Sequence, residues 1–107
     1  MNTPHLKRYY AKFNALYFDG QLPDCTVRYD ANIPKKNDGQ TVIQEVNGGL
    51  THLIKIDPIL RDSSCFSQIA LLHEMCHVKL YPYMHHGKKF KDEIQRLIGR
   101  GAFNDLL

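Results

Sequence analysis

The sequence predicts an α+β domain in which a small, mostly antiparallel three-stranded sheet packs on three helices. Three observations carry this prediction. Apolar residues recur at helical spacing in three separate segments, two β-like runs flank Asn47, Gly48 and Gly49, and breaks rich in Pro, Gly or Asp separate these segments. With 107 residues, 43% apolar and 23% charged, the chain suits one hydrophobic core, so residues 1–107 read as a single domain.

The first helix opens where Thr3 can cap it and Pro4 suits its first turn. Leu6, Tyr9, Tyr10, Phe13, Leu16 and Tyr17 then share one face, which leaves Lys7, Arg8 and Lys12 largely outward. FDGQLPD, residues 18–24, breaks this helix. TVRYDANI reads as a strand and PKKNDG as a polar loop. QTVIQEV and LTHLIKI form a hairpin around NGG, because Asn and Gly tolerate positive φ. Asp57 and Pro58 close the last strand, and the turn at 62–64 leads into a second helix over 66–81, where Pro82 disfavours helical geometry at Tyr81. The third helix spans Gly87 to Ile98, turns Phe90, Ile94, Leu97 and Ile98 inward, and ends at Gly99 and Gly101.

Bulk properties exclude several classes. A net charge of +3 and a pI near 8.8 permit an acidic partner such as DNA without demanding one. No apolar run approaches the ~20 residues that cross a bilayer, and the opening MNTPHLKRYYAKF has no signal-peptide core. The expectation is a cytoplasmic monomer with no membrane partner. Cys25, Cys65 and Cys76 contain no CxxC pair, which argues for reduced thiols over a disulfide framework or a cysteine-rich zinc module.

The chemistry concentrates in HEMCH, residues 73–77. On a wheel of about 100° per residue with Ile69 at zero, Leu72, Cys76 and Leu80 lie within about 60° of Ile69. His73, His77 and Glu74 take the adjacent sector at about 40°, 80° and 140°, and Leu71, Met75 and Val78 fill the rest. A helix buried nearly all round that carries two imidazoles and a carboxylate must give all three partners.

One Zn²⁺ would do so. Histidines at i and i+4 can reach one ion through neutral ring nitrogens at about 2.0–2.1 Å, and the Glu beside the first points near the metal without filling its coordination. Zinc lowers the pKa of a bound water toward ~7, Glu74 takes its proton, and the nucleophile attacks a polarised carbonyl, which is amide hydrolysis. From this chain's own His and Glu frequencies, HExxH would arise by chance with a probability of roughly 1%, which disfavours ordinary core histidines.

A structural zinc site closes with four protein ligands, whereas a catalytic one uses three and keeps a position open. Three residues are candidates for the third ligand. If helical geometry extends backward from Phe90, His86 falls at about −40° and His85 at about −140°, so His86 sides with the inward face. Glu93 lies on the same flank, about 10.5 Å further along the axis.

These residues resemble the SprT-like family of zinc metallopeptidases, whose members include enzymes that degrade DNA–protein crosslinks. The resemblance runs through the opening helix with FDGQLPD, the segment GGLTHLIKIDPIL, LLHEMCH, and HHGKKF as the family's His-Gly-x-x-Phe element. It implies a zincin-like minimal metallopeptidase, zinc at His73, His77 and His86, and Glu74 as catalytic base. It implies a Spartan-like catalytic core, expected without a zinc ribbon or DNA-binding extensions. The nine-residue step from His77 to His86 differs from metzincins, which place the third His six residues after the second.

Weaker features complete the reading. Tyr81 and Tyr83 are candidates to stabilise an oxyanion, against ordinary rim packing. Cys76 reads as a small core residue, His52 and His5 as structural or exposed, and the basic residues from Lys88 to Arg100 as a solvated face with phosphate contact as the weaker alternative. The expected substrate is a protein or peptide in extended conformation, laid along a sheet edge for which His52 to Asp57 is the candidate. The alternative function is a noncatalytic zinc-stabilised binding domain, against which the presence of Glu74 argues.

Overall fold

The computed structural model describes residues 1–106. The elements run α1 (Pro4–Tyr17), β1 (Thr26–Tyr29), β2 (Gly39–Val46), β3 (Gly49–Ile56), a 3₁₀ turn (Pro58–Leu60), α2 (Ser64–Leu80) and α3 (Lys88–Gly99). The α+β class and the count of three helices and three strands are as the sequence predicts. The sheet is mixed, in the order β1-β3-β2, with β1 parallel and β2 antiparallel to β3.

This order corrects one expectation. The segment His52–Asp57 is not a sheet edge, because β3 is the central strand and its Leu53–Ile56 pair with β1 on one side and with β2 on the other. The edges belong to β1 and β2, and that of β1 is covered by Asn2 and Thr3, which bond Val27 and Tyr29. The hairpin itself forms where the sequence places it: Asn47 and Gly48 take φ of 51° and 81°, the pair of left-handed residues that a two-residue turn of the twisted hairpin requires.

Helix α1 is stitched to β1 at its start. Thr3 stands at the N-cap, but its hydroxyl does not cap the helix; it accepts from Tyr29 N–H at 3.1 Å, while Thr3 N–H donates to Val27 C=O at 2.8 Å. Leu6, Tyr10 and Phe13 are buried, whereas Leu16 at the end of the same stripe is exposed. Beyond it Asn14 brackets Leu22, donating to its carbonyl and accepting from its N–H, which fixes the turn through FDGQLPD.

Helix α2 is the centre of the molecule and touches α1, β2, β3 and α3. It starts two residues earlier than the periodicity implies, because Ser63 caps it by accepting from Phe66 N–H. It ends at Leu80, where Tyr81 turns extended before Pro82. Leu71, Leu72, Met75 and Cys76 are completely buried against Ile54 and Ile56 of β3 and Val27 of β1. Fully burying such a side chain contributes about 1.5–3 kcal/mol, and Leu72→Ala would cost about 2–5 kcal/mol in transfer and cavity terms. Helix α3 covers the remaining side through Phe90 and Leu97, while Ile98, expected inward, is half exposed.

Candidate metal centre

His73 and His77 project one turn apart from α2, and the loop after Leu80 carries His86 back to meet them. The helical geometry assumed for His86 does not extend that far, since α3 begins at Lys88 with Gly87 as its N-cap. The loop delivers the ring instead. His86 Nε2 lies 3.2 Å from His73 Nε2 and 3.0 Å from His77 Nε2.

Phe90 stands against all three rings, with centroid distances of 4.8 Å to His73, 4.8 Å to His77 and 4.7 Å to His86. It is the first large apolar residue of α3 and is buried, so the packing of α3 on α2 also fixes the spread of the imidazoles. Its periodicity marks Phe90 as core, and its place at the end of HHGKKF marks it as the Phe of the His-Gly-x-x-Phe element.

The three nitrogens fit a metal ion on two grounds. First, zinc bonds of about 2.0–2.1 Å at a tetrahedral angle separate ligand nitrogens by about 3.3 Å, close to the spacing of the two contacts above. Second, one imidazole nitrogen carries at most one proton, so His86 Nε2 cannot donate to both neighbours, whereas a shared cation satisfies all three lone pairs. The two α2 rings are also in the right protonation state. Burial, with the neighbouring histidines, lowers the pKa of His77 to about 4, and burial lowers that of His73, so both are neutral ligands near pH 7.

Glu74 lies beside this cluster and is 5% exposed. Its Oε1 accepts from Thr41 Oγ1 at 2.8 Å, and its Oε2 lies 4.0 Å from His73 Nε2. Burial raises its pKa to about 7, against the opposing hydrogen bond from Thr41. A pKa near 7 would let the carboxyl group take and release a proton near neutral pH, and it is not one of the groups whose ligand atoms gather within 4.8 Å of one another.

A cleft of about 470 Å³ opens onto these groups, walled by residues 36–38 of the loop before β2, Gly39–Thr41 of β2, Ile69 and Ala70 of α2, and Met84. The structure brings His73, Glu74, His77 and His86 together at this cleft. Other candidates fall elsewhere. His85 is exposed, with its ring over Gly87, and is not part of the cluster. Glu93 is buried between Lys79 and Arg96. Tyr81 and Tyr83 do not line the cleft, and Tyr83 packs under Lys89 with Nζ 3.6 Å from the ring centroid. The sequence gives no local signal of the part Thr41 and Gly39 play, since a polar residue and a glycine at the start of a strand do not show what they face.

Fold and cluster together define an α+β domain with a triad of histidines able to hold a metal ion beside a buried carboxylate. Residues 6–103 match the SprT-like family, and the chain belongs to that family. No curated protein and no solved structure matches it. Among the described residues, no helix is long and apolar enough to cross a membrane.

Proposed function

We propose that this chain is a zinc-dependent endopeptidase, with His73, His77 and His86 as metal ligands and Glu74 as general base. The observation that supports this reading is the convergence of three imidazoles on one point at an open cleft, with a buried carboxylate beside them. What zinc supplies there, when bound, is polarisation of the scissile carbonyl and acidification of a water molecule.

The chain's own groups do the rest. Glu74 receives the proton of the attacking water on Oε2, the oxygen that faces the histidines, and returns it to the departing amide nitrogen. A pKa near 7 suits both transfers, because the group is neither locked ionised nor locked protonated at working pH. Phe90 holds the three rings in register, which limits reorganisation during the reaction.

The substrate reading moves with the sheet order. Gly39–Val46 carries a ladder partner on one side alone, and its first residues wall the cleft, so β2 takes the place of His52–Asp57 as the strand along which an extended peptide is laid. Backbone pairing of this kind gives affinity with little side-chain selectivity, which suits exposed or unfolded protein segments, DNA-associated proteins among them.

The test is cleavage of casein and histone by zinc-loaded wild type and Glu74→Gln, each with and without single-stranded or duplex DNA. The reading expects cleavage by wild type and its loss in Glu74→Gln with zinc still bound. Undiminished cleavage by the variant would overturn the assignment of Glu74. A folded, zinc-bound wild type that cleaves neither protein under any condition would favour a noncatalytic zinc-stabilised domain, and stimulation by DNA would mark DNA-associated proteins as the substrates.

A further inference from the structure

We propose that Thr41 is a positioning residue for Glu74: its hydroxyl holds one carboxylate oxygen so that the other faces the histidines, and Gly39 keeps open the space this orientation needs. The inference rests on the reading of Glu74 as the base. It concerns β2, a strand that supplies no metal ligand.

Glutamate has three side-chain torsions, and a buried carboxylate without partners is strongly disfavoured, so a single orientation of Glu74 requires a fixed donor. Among the described residues, the donor within hydrogen-bonding range of its carboxylate is Thr41 Oγ1, 2.8 Å from Oε1. The same hydroxyl also lies 3.1 Å from the backbone carbonyl of Glu74, but it has one proton to donate, and the carboxylate at 2.8 Å is the closer and stronger acceptor. Thr41 is itself rigid. It is β-branched, with a restricted χ1, and its strand position pairs with Ile54, which is completely buried.

Gly39 bounds the other side. A Cβ built there would lie 3.2 Å from both Cγ and Oε2 of Glu74, and 2.9 Å from the backbone oxygen of Lys55. Any side chain at 39 would therefore press on the oxygen that faces the metal centre. Thr41 pins Oε1 and Gly39 makes room for Oε2, so the seat of the base is built from alternate residues on one face of β2.

The experiment compares wild type, Thr41→Val and Thr41→Ser in two states. In the zinc-free protein, the ¹³C signal of the Glu74 carboxyl group is read by NMR at one fixed pH above its titration range. The proposal expects this signal to move in Thr41→Val and to return in Thr41→Ser. In the zinc-loaded protein, kcat should fall roughly 10- to 100-fold in Thr41→Val, with KM and zinc affinity within about 2-fold of wild type, and Thr41→Ser should restore it. An unmoved carboxyl signal, a Ser variant that restores nothing, or a loss carried by KM or zinc affinity instead of kcat would overturn the proposal. If wild type cleaves no protein, the peptidase reading fails and the zinc-free signal alone decides whether Thr41 positions the carboxylate.

Discussion

Glu93 Oε1 lies 2.8 Å from Lys79 Nζ, and this ion pair ties α3 to α2 behind the histidines. Arg96, one turn further along α3, closes on the same carboxylate with Nη2 2.6 Å from Oε2. The contact explains why a buried acidic residue so near the triad is not a ligand: its oxygens are committed to two cations. It also holds in place the helix that carries Phe90 and follows directly on His86.

Replacing Glu93 should therefore loosen this joint. Burial opposes ionisation of Glu93, but Arg96 and Lys79 outweigh it and hold the carboxyl below its usual range. A depressed pKa gives stability that is present above the unfolded value near 4.5 and is lost as pH falls through the lower folded value. Lys79 and Arg96 are each about one-third exposed, so solvent screening reduces the effect. Glu93→Gln should cost roughly 1–2 kcal/mol in urea unfolding at neutral pH, and the gap to wild type should narrow on acidification below about pH 4.5.

Glu74 predicts the opposite trend. Its pKa is raised from 4.5 to about 7, so folding the metal-free chain above that pH requires burying a charge that the unfolded state leaves in water. The penalty is complete above about pH 7 and absent below about pH 4.5, where the group is protonated in both states. Zinc-free Glu74→Gln should thus be more stable than wild type at alkaline pH, by on the order of 3 kcal/mol, with the difference vanishing toward pH 4.5. Thermal unfolding across this range in the presence of a chelator measures it.

The adjacent histidines give a sharp comparison. His86→Ala should weaken zinc binding by more than about 100-fold, beyond what loss of an outer-shell partner causes. His85→Ala should leave affinity unchanged, since its ring lies outside the cluster. Competition against a chromogenic chelator separates the two.

Gly39→Ala should cost about 1–3 kcal/mol, because its Cβ would stand 2.9 Å from a backbone oxygen of the neighbouring strand, where relief requires the strands to shift. Gly49→Ala in the same hairpin should cost less than about 0.5 kcal/mol, as its Cβ would meet only Val46 O at 3.8 Å. Urea midpoints of the two variants test the contrast.

Much of this architecture is legible in the sequence because it is local. The helical stripe through Leu6, Tyr10 and Phe13, the Asn47-Gly48 turn, and His73 and His77 at i and i+4 are each dictated within a few residues. His86 joins the cluster and His85 does not, as the wheel predicts, although a loop rather than a helical turn brings the ring there. What the sequence conceals is long-range. The parallel pairing of β1 with β3 depends on where a loop crosses the molecule, and it turns a presumed edge strand into the central one. Thr41 reaches Glu74 across 33 residues, and no local pattern in β2 announces the residue it faces. Leu16 and Ile98, which share helical spacing with buried residues, are nonetheless about half exposed.

The central claim is that one metal ion sits among His73, His77 and His86 with a position left open toward the cleft. Anomalous diffraction at the zinc edge from zinc-loaded crystals tests it most directly. The account predicts a single peak at about 2.0–2.1 Å from the three Nε2 atoms and no fourth protein ligand, with Glu74 outside bonding distance. A peak centred elsewhere, or one closed by a fourth side chain, would contradict it.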